Sequence, residues 1–121
     1  MAAPQKNLSP VEGNTFVESV TCVNASTQPI NVSTYTFYSE LRTSPGGSLI
    51  AEGSIDMTNA ASGVVTVTIP GTSMLSRNSS QTSAWPNNAT AWLDLSYLDT
   101  SGNKVTLCIW VLQLQARITV F

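Results

Sequence analysis

The sequence predicts an all-β domain built as a sandwich of two antiparallel β-sheets. Short runs of alternating apolar and polar residues, rich in β-branched side chains, recur along the chain with turn residues between them. Ser, Thr and Asn fill most positions between the apolar residues, and these types favour turns and strands over helix interiors. Helical periodicity is almost absent. Six strand-like runs within 121 residues therefore indicate a sandwich.

An extended arm of residues 1–14 is predicted to precede a single domain of residues 15–121, because Pro and Gly interrupt the polar N-terminal stretch. Within the domain, turns rich in Gly, Pro, Asn and Ser separate the strand-like runs. These runs cover residues 15–23, 35–42, 49–55, 64–69, 89–98 and 105–121.

The last two runs form a hairpin on which the sheets are expected to be built. Residues 99–103 supply its turn, since Gly tolerates positive φ and Asp and Asn bond to their own backbone. Apolar residues occupy odd positions from Val105 to Ile109 and even positions from Trp110 to Val120. A shift of one residue sends every side chain to the other face of a strand. The pattern thus predicts a β-bulge near Ile109, or a strand that passes between sheets.

One long polar loop, residues 71–88, breaks the rhythm of strands. Met74 and Leu75 have the spacing to seat one helical turn, and the rest is too polar to bury. Loops of this length without structure of their own tend to be functional. Trp85, followed by Pro86, is the aromatic residue in it, and we predict that both contact a partner. For the two tryptophans on strand-like runs, 92 and 110, core packing is favoured.

The final strand supplies two further candidate partner contacts. Arg117 belongs to its outward-facing set, which meets solvent or a polar partner. The chain as given ends at Phe121, and an apolar end is best tolerated when something covers it. We expect both residues to lie against a neighbouring molecule.

Catalytic and metal chemistry find little support in the residue inventory. The chain has no His, which excludes His-based triads, His-based metal sites and general acid–base work by imidazole. Two distant cysteines make no zinc site by themselves. Cys22 and Cys108 have the option of pairing if their strands are adjacent, but a reducing compartment favours two buried thiols. The sequence predicts a non-enzyme without catalytic, cofactor-binding or metal-binding residues.

Charge and hydropathy restrict the classes of partner that this chain can bind. Only 10% of the residues are charged, the net charge is −2, and the five cationic residues are scattered. No basic patch exists to bind nucleic acid or anionic lipid. The N-terminus lacks the basic start and apolar run of a secretory signal, and the longest apolar stretch is too short to span a bilayer. We expect synthesis in the cytosol and no membrane insertion.

Several stretches taken in order resemble one family of phage proteins. They are EGNTF (12–16), QPINVSTYTFYSELR (28–42), the PGG turn (45–47), ASGVVTVTIP (61–70), LDLSYLDTSGNKVTL (93–107) and the closing ITV (118–120). The chain resembles the N-terminal domain of phage baseplate upper proteins and related small immunoglobulin-like (Ig-like) phage virion proteins. The resemblance implies an Ig-like antiparallel β-sandwich of about seven strands, with a short helix at residues 72–78.

That resemblance also implies a function. The expected role is a non-enzymatic bacteriophage structural protein, present in many copies in the tail, baseplate or fibre attachment and fixed to other virion proteins in a symmetric array. It would be assembled in the host cytoplasm and would need no cofactor. Two alternatives stay open: a capsid decoration (cement) protein, or a carbohydrate-binding module in which an exposed Trp85 stacks on a sugar.

Overall fold

Two β-sheets pack face to face and enclose one hydrophobic core. The computed structural model describes residues 5–75, 85–86, 89–98 and 101–115. Within these ranges there is no α-helix, and two single turns of 3₁₀ helix, Ala60–Ser62 and Gly71–Ser73, join strands. The fold is an Ig-like β-sandwich, which confirms the predicted fold class.

Nine strands occur in the described ranges. They are β1 (Gln5–Leu8), β2 (Phe16–Thr21), β3 (Thr36–Tyr38), β4 (Glu40–Arg42), β5 (Leu49–Glu52), β6 (Ser54–Asp56), β7 (Val64–Ile69), β8 (Thr90–Leu98) and β9 (Lys104–Gln113). The larger sheet has the order β1-β9-β8-β4-β5, with β3 also paired to β8. The smaller sheet has the order β2-β7-β6. Every pair is antiparallel except β1 with β9.

The core is built from the inward positions of alternating strands. In β7 every second residue is fully buried, and the intervening threonines and valine are only partly covered. In β8 the inward set is Ala91, Leu93 and Leu95, all with no exposed surface. Each fully buried aliphatic side chain stabilises the fold by about 1.5–3 kcal/mol relative to an exposed one. The alternation of residues along each strand therefore indicates which side chains point into the core.

The N-terminal segment joins the larger sheet. β1 runs parallel to β9, with Gln5 opposite Ile109 and Leu8 opposite Leu112. Past β1, the backbone N–H of Gln115 donates to the carbonyl of Pro10 at 2.9 Å. The sequence placed residues 1–14 in an arm ahead of the domain, but within this stretch residues 5–8 form an edge strand of it. Their polar composition hides the strand, because an edge strand with little burial carries no apolar alternation.

The predicted β-bulge is present in β9. Leu95 of β8 pairs with Cys108 while the next residue, Ser96, pairs with Thr106, so Leu107 is the extra residue. This confirms the bulge, which lies two positions before Ile109. β9 stays in the larger sheet as far as Gln113, so the parity change needs no crossing between sheets. Residues 116–121 of the predicted strand lie outside the described ranges.

The crossing between sheets occurs instead in the run predicted as one strand from 49 to 55. β5 pairs with β4 in the larger sheet, and β6 pairs with β7 in the smaller one. Gly53 separates them. A Cβ atom on Gly53 would lie 2.8 Å from Ser39 Oγ and 2.9 Å from Val67 Cγ1, so a side chain there would force its neighbours to shift. The missing side chain allows the backbone to pass from one sheet to the other.

Candidate binding groove

Trp85 lies in the hydrophobic core. Its side chain is 1% exposed, and its Nε1–H donates a hydrogen bond of 2.7 Å to the backbone carbonyl of Ser73. Burying an indole ring gains several kcal/mol, and the hydrogen bond removes the penalty of burying its polar N–H. A ring with no exposed surface cannot stack on a sugar or contact a partner. The expectation of an exposed Trp85 is therefore wrong.

The other predicted contacts have different outcomes. Pro86 is half-buried beside Trp85, and its carbonyl accepts a 2.9 Å hydrogen bond from the N–H of Ala89, so its partner contact stays a prediction. Arg117 and Phe121 lie outside the described residues. Of the short helix expected at residues 72–78, only residues 72 and 73 are helical, in the 3₁₀ turn Gly71–Ser73. Met74 and Leu75 lie beyond that turn, and residues 76–78 are outside the described part.

Trp92 is the tryptophan that reaches the surface. It lies half-buried on the outer face of β8, paired with Val111 of β9 and Arg42 of β4. Trp110, in contrast, is buried and packs edge-to-face on Phe16 with ring centroids 6.4 Å apart. Core packing was predicted for both strand tryptophans and holds for Trp110. The outward position of Trp92 could have been predicted from the sequence, because Trp92 alternates with Ala91, Leu93 and Leu95, the buried residues of the same strand.

A groove runs over the larger sheet beside Trp92, and we name it the outer-face groove. Its volume is about 550 Å³, within the range of about 300–1,000 Å³ typical of small-molecule sites. The turn between β4 and β5, at residues 44–46, forms one wall. The residues that line it include Trp92, Glu40, Arg42, Asp94, Lys104 and Ile109.

Three charged side chains of the outer-face groove, Glu40, Arg42 and Lys104, form one ion-paired cluster, and Asp94 joins it through the backbone of Glu40. The two carboxylate oxygens of Glu40 accept from Arg42 Nη2 at 3.0 Å and from Lys104 Nζ at 3.4 Å. Asp94 Oδ1 accepts from the backbone N–H of Glu40 at 3.0 Å. Arg42 Nη1 donates to the carbonyl of Gly47 at 2.8 Å.

These ion pairs contribute little to folding. The paired side chains of the cluster are between 25% and 45% exposed. Partly solvated ion pairs are screened by water, and each is worth about 1 kcal/mol or less. Stability alone therefore gives a weak reason for gathering these charges in one groove.

A second cavity of about 530 Å³ adjoins the outer-face groove and shares Glu40 and Lys104 with it. Tyr38 lines this second cavity and is 43% exposed. Tyr38 pairs with Ser96, four residues along β8 from Trp92. A rise of about 3.3 Å per residue puts the two aromatic positions about 13 Å apart along the sheet. The Glu40–Lys104 pair thus lies between the half-buried Trp92 and the exposed Tyr38.

Similarity to known proteins is confined to the fold. No protein-family model matches the chain, and no curated protein is significantly similar to it. Among solved structures, the chain is similar to CopC from Methylosinus trichosporium OB3b at 9% identity and a TM-score of 0.48, covering 98% of this chain and 91% of CopC.

A second similar structure is that of ICOS in complex with ICOS-L and an anti-ICOS-L VNAR domain, at 7% identity and a TM-score of 0.46. It covers 95% of this chain and 56% of the other. Neither likeness carries information on function. The assignment of the fold rests on the strand order and pairing of the two sheets.

The two cysteines are free thiols, Cys22 buried and Cys108 half-buried. Burial raises the pKa of Cys22 above its usual value. Burial also raises the pKa of Cys108 to about 11, with smaller contributions from the negative charges of Cys22, Asp94 and Glu18. Because the thiolate is the nucleophile and the metal ligand, thiols that stay protonated near neutral pH are poor at both tasks.

Clusters of metal-binding side chains, and helices able to span a membrane, are also missing from the described part of the chain. No group of three or more Cys, Asp or Glu residues there is arranged to hold a metal ion. The same residues include no helix of the length and hydropathy needed to cross a membrane.

Proposed function

We propose that this chain is a non-enzymatic structural protein of a bacteriophage particle, present in many copies and holding neighbouring subunits in the tail, baseplate or fibre attachment. One observation supports this most directly: the stretches that resemble phage virion proteins coincide with the framework of the sandwich. EGNTF ends at the first residue of β2, ASGVVTVTIP includes β7, and LDLSYLDTSGNKVTL includes the turn between β8 and β9. The resemblance thus follows the elements that set the fold.

The faces of the sandwich offer surface for neighbours. Val17 is 54% exposed on the outer face of the smaller sheet, Val23 is exposed just past the end of β2, and Leu49 is exposed at one edge of the larger sheet. Water contacts these apolar side chains in the isolated chain, so covering them against another subunit is favourable. In a symmetric particle such individually weak contacts are repeated, and their sum fixes the subunits.

The sheet edges are less suited to this purpose. Glu18 on β2 shares the inward face with its partner Val67, and Lys6 is an exposed charge on the edge strand β1 that likewise opposes strand addition. A charged residue on the inward face of an edge strand opposes the addition of a further strand. β5 and β6, at the other two edges, are four and three residues long. We therefore expect neighbours to bind to the faces of the sandwich rather than to its edges.

Mass spectrometry of purified particles of the phage that encodes this chain tests the proposal. We expect the chain at many copies per particle, resistant to a high-salt wash. Purified particles that contain none of it would overturn the proposal.

The capsid decoration alternative predicts the same composition but another position. An antibody fragment or affinity tag on the exposed turn at residues 44–47, imaged by electron microscopy, separates the two. Label on tails or baseplates supports the first proposal, and label over the heads supports a decoration protein.

A further inference from the structure

We propose that the outer-face groove binds a neutral oligosaccharide, with one sugar ring stacked on Trp92 and its hydroxyl groups bonded to Glu40, Arg42, Asp94 and Lys104. This binding site goes beyond a structural role in the particle, and its test does not depend on that role.

The aromatic residue is the first argument. Trp92 presents a partly exposed indole on the outer face of the sheet, where the alternation of β8 would otherwise place a small polar residue. Ile109 of β9, paired with Asp94, also lines the groove. The C–H bonds of a pyranose form an apolar face that packs on the negative face of an aromatic ring. Within the described residues the indole N–H of Trp92 donates to no protein atom, so it is available to a sugar hydroxyl.

Charge balance selects a neutral ligand. Two carboxylates and two cations line the outer-face groove, and their formal charges sum to zero. A phosphate or nucleic acid backbone would meet Glu40 and Asp94, and a cationic ligand would meet Arg42 and Lys104. A sugar hydroxyl both donates and accepts hydrogen bonds, so it can use carboxylate acceptors and N–H donors side by side.

The polar groups are oriented before any ligand arrives. Glu40 is held between Arg42 and Lys104, and Asp94 is held by the backbone N–H of Glu40. Each carboxylate oxygen has lone pairs beyond these contacts, and Lys104 has further N–H donors. Side chains fixed in this way lose little conformational entropy on binding, which favours affinity.

The concentration of charge is unusual for this chain. Of the three cationic side chains in the described residues, Lys6, Arg42 and Lys104, two line this one groove. Charges that served only solubility would be expected to spread over the surface, as Lys6 does at the edge of the sheet. The gathering of both signs around a half-buried tryptophan is the arrangement of a polar binding site.

The second cavity extends the site lengthwise. Tyr38 lies about 13 Å along the sheet from Trp92, with the Glu40–Lys104 pair between them. Two aromatic platforms separated by hydrogen-bonding groups suit a ligand of several sugar units better than a monosaccharide. The structure thus favours an oligosaccharide, with a short peptide as the competing occupant.

A glycan array first screens a wide set of sugars for binding to the chain. Isothermal titration calorimetry then measures the affinity for three neutral probes, maltohexaose, cellohexaose and chitohexaose, and for one acidic probe, hexagalacturonate. We expect at least one neutral oligosaccharide to bind, and Trp92→Ala to weaken it at least about tenfold. The Trp92→Phe variant keeps a ring and should lose less. Asp94→Asn and Lys104→Ala should each weaken binding several-fold.

Fluorescence gives an independent readout. Trp85 and Trp110 are buried, so a bound sugar should change the emission of Trp92 alone. The change should vanish in Trp92→Phe although calorimetry still detects binding. Val17→Ala, on the opposite sheet, is the matched control and should bind as the unaltered chain does.

Three results would overturn the proposal: an unaltered chain that binds no neutral oligosaccharide on the array or in solution, Trp92→Ala with unchanged affinity, or hexagalacturonate bound more tightly than every neutral probe. Selection from a random peptide library of a ligand that needs Trp92, while all glycans fail, would assign the groove to peptides instead. Circular dichroism verifies the fold of each variant. If Trp92→Ala does not fold, Asp94→Asn and Lys104→Ala decide, because both lie at a partly solvated surface.

Discussion

Replacing Trp85 with alanine should remove a large part of the free energy of unfolding of this domain. An indole ring buries about 150–250 Å², which at about 25 cal/mol per Å² corresponds to roughly 4–6 kcal/mol. Alanine retains part of that burial, and measured Trp→Ala changes in cores cost about 3–5 kcal/mol. Loss of the hydrogen bond to the Ser73 carbonyl adds about 1 kcal/mol.

We therefore expect a loss of about 4–6 kcal/mol, against a total free energy of unfolding of about 5–15 kcal/mol for a domain of ordinary stability. The melting temperature should fall by roughly 10–20 °C. Urea unfolding followed by far-ultraviolet circular dichroism measures the loss. Trp85→Phe, which keeps a ring but loses the N–H donor, should cost less than the alanine variant and stays measurable if the latter does not fold.

Trp92→Ala is the internal comparison, because the same substitution at a half-buried position should cost clearly less than at Trp85. A Trp85→Ala variant within about 0.5 kcal/mol of the unaltered chain would refute the reasoning, since that is the range of surface substitutions. It would also restore the interpretation of Trp85 as an exposed contact residue.

Four further predictions concern the buried thiols, the crossing at Gly53 and the last described residue. Cys22 and Cys108 should react slowly with Ellman's reagent at pH 8 and fast in denaturant, and rapid labelling of the native chain would contradict their burial. Because the pKa of Cys108 rises from 9.0 to about 11 on folding, its contribution to stability is present below pH 9 and is lost as pH rises toward 11, which urea unfolding at several pH values measures. Gly53→Ala should cost about 1–3 kcal/mol by overpacking, and an unchanged urea midpoint would argue against the tight crossing. Truncation after Leu114 removes two backbone hydrogen bonds that truncation after Gln115 keeps, from the Gln115 N–H to the carbonyl of Pro10 and from the Glu12 N–H to the carbonyl of Gln115. The shorter chain should therefore be less stable by about 2 kcal/mol; equal midpoints would mean that these bonds contribute nothing.

The fold class and most strand positions were accessible from the sequence because they depend on local patterns. The alternation of apolar residues in β7 and β8 states both that these segments are strands and which side faces inward. The parity change in the last strand predicted a bulge, and Leu107 is that bulge. In a strand whose inner face is buried, a shift of the apolar residues by one position requires an extra residue in the strand. The bulge can therefore be predicted without knowing the partner strand.

Strand partners were less accessible. β1 has no apolar alternation, and its strand conformation depends on hydrogen bonds to β9, about a hundred residues later in the chain. The crossing at Gly53 likewise depends on Ser39 and Val67, which approach only after both sheets have formed. Local sequence cannot report on atoms that become neighbours through folding.

The sequence by itself determined that this protein is a β-sandwich with little charge and with none of the chemistry that histidine provides. Tertiary structure alone decided which tryptophan is available: Trp85, in a polar loop, is buried, and Trp92, on a strand, borders a groove. It also joined Glu40 to Lys104, 64 positions apart, in one cluster. Residue type and local pattern determine which side of a strand a residue occupies, but burial depends on what packs against that side, and only the folded chain supplies it.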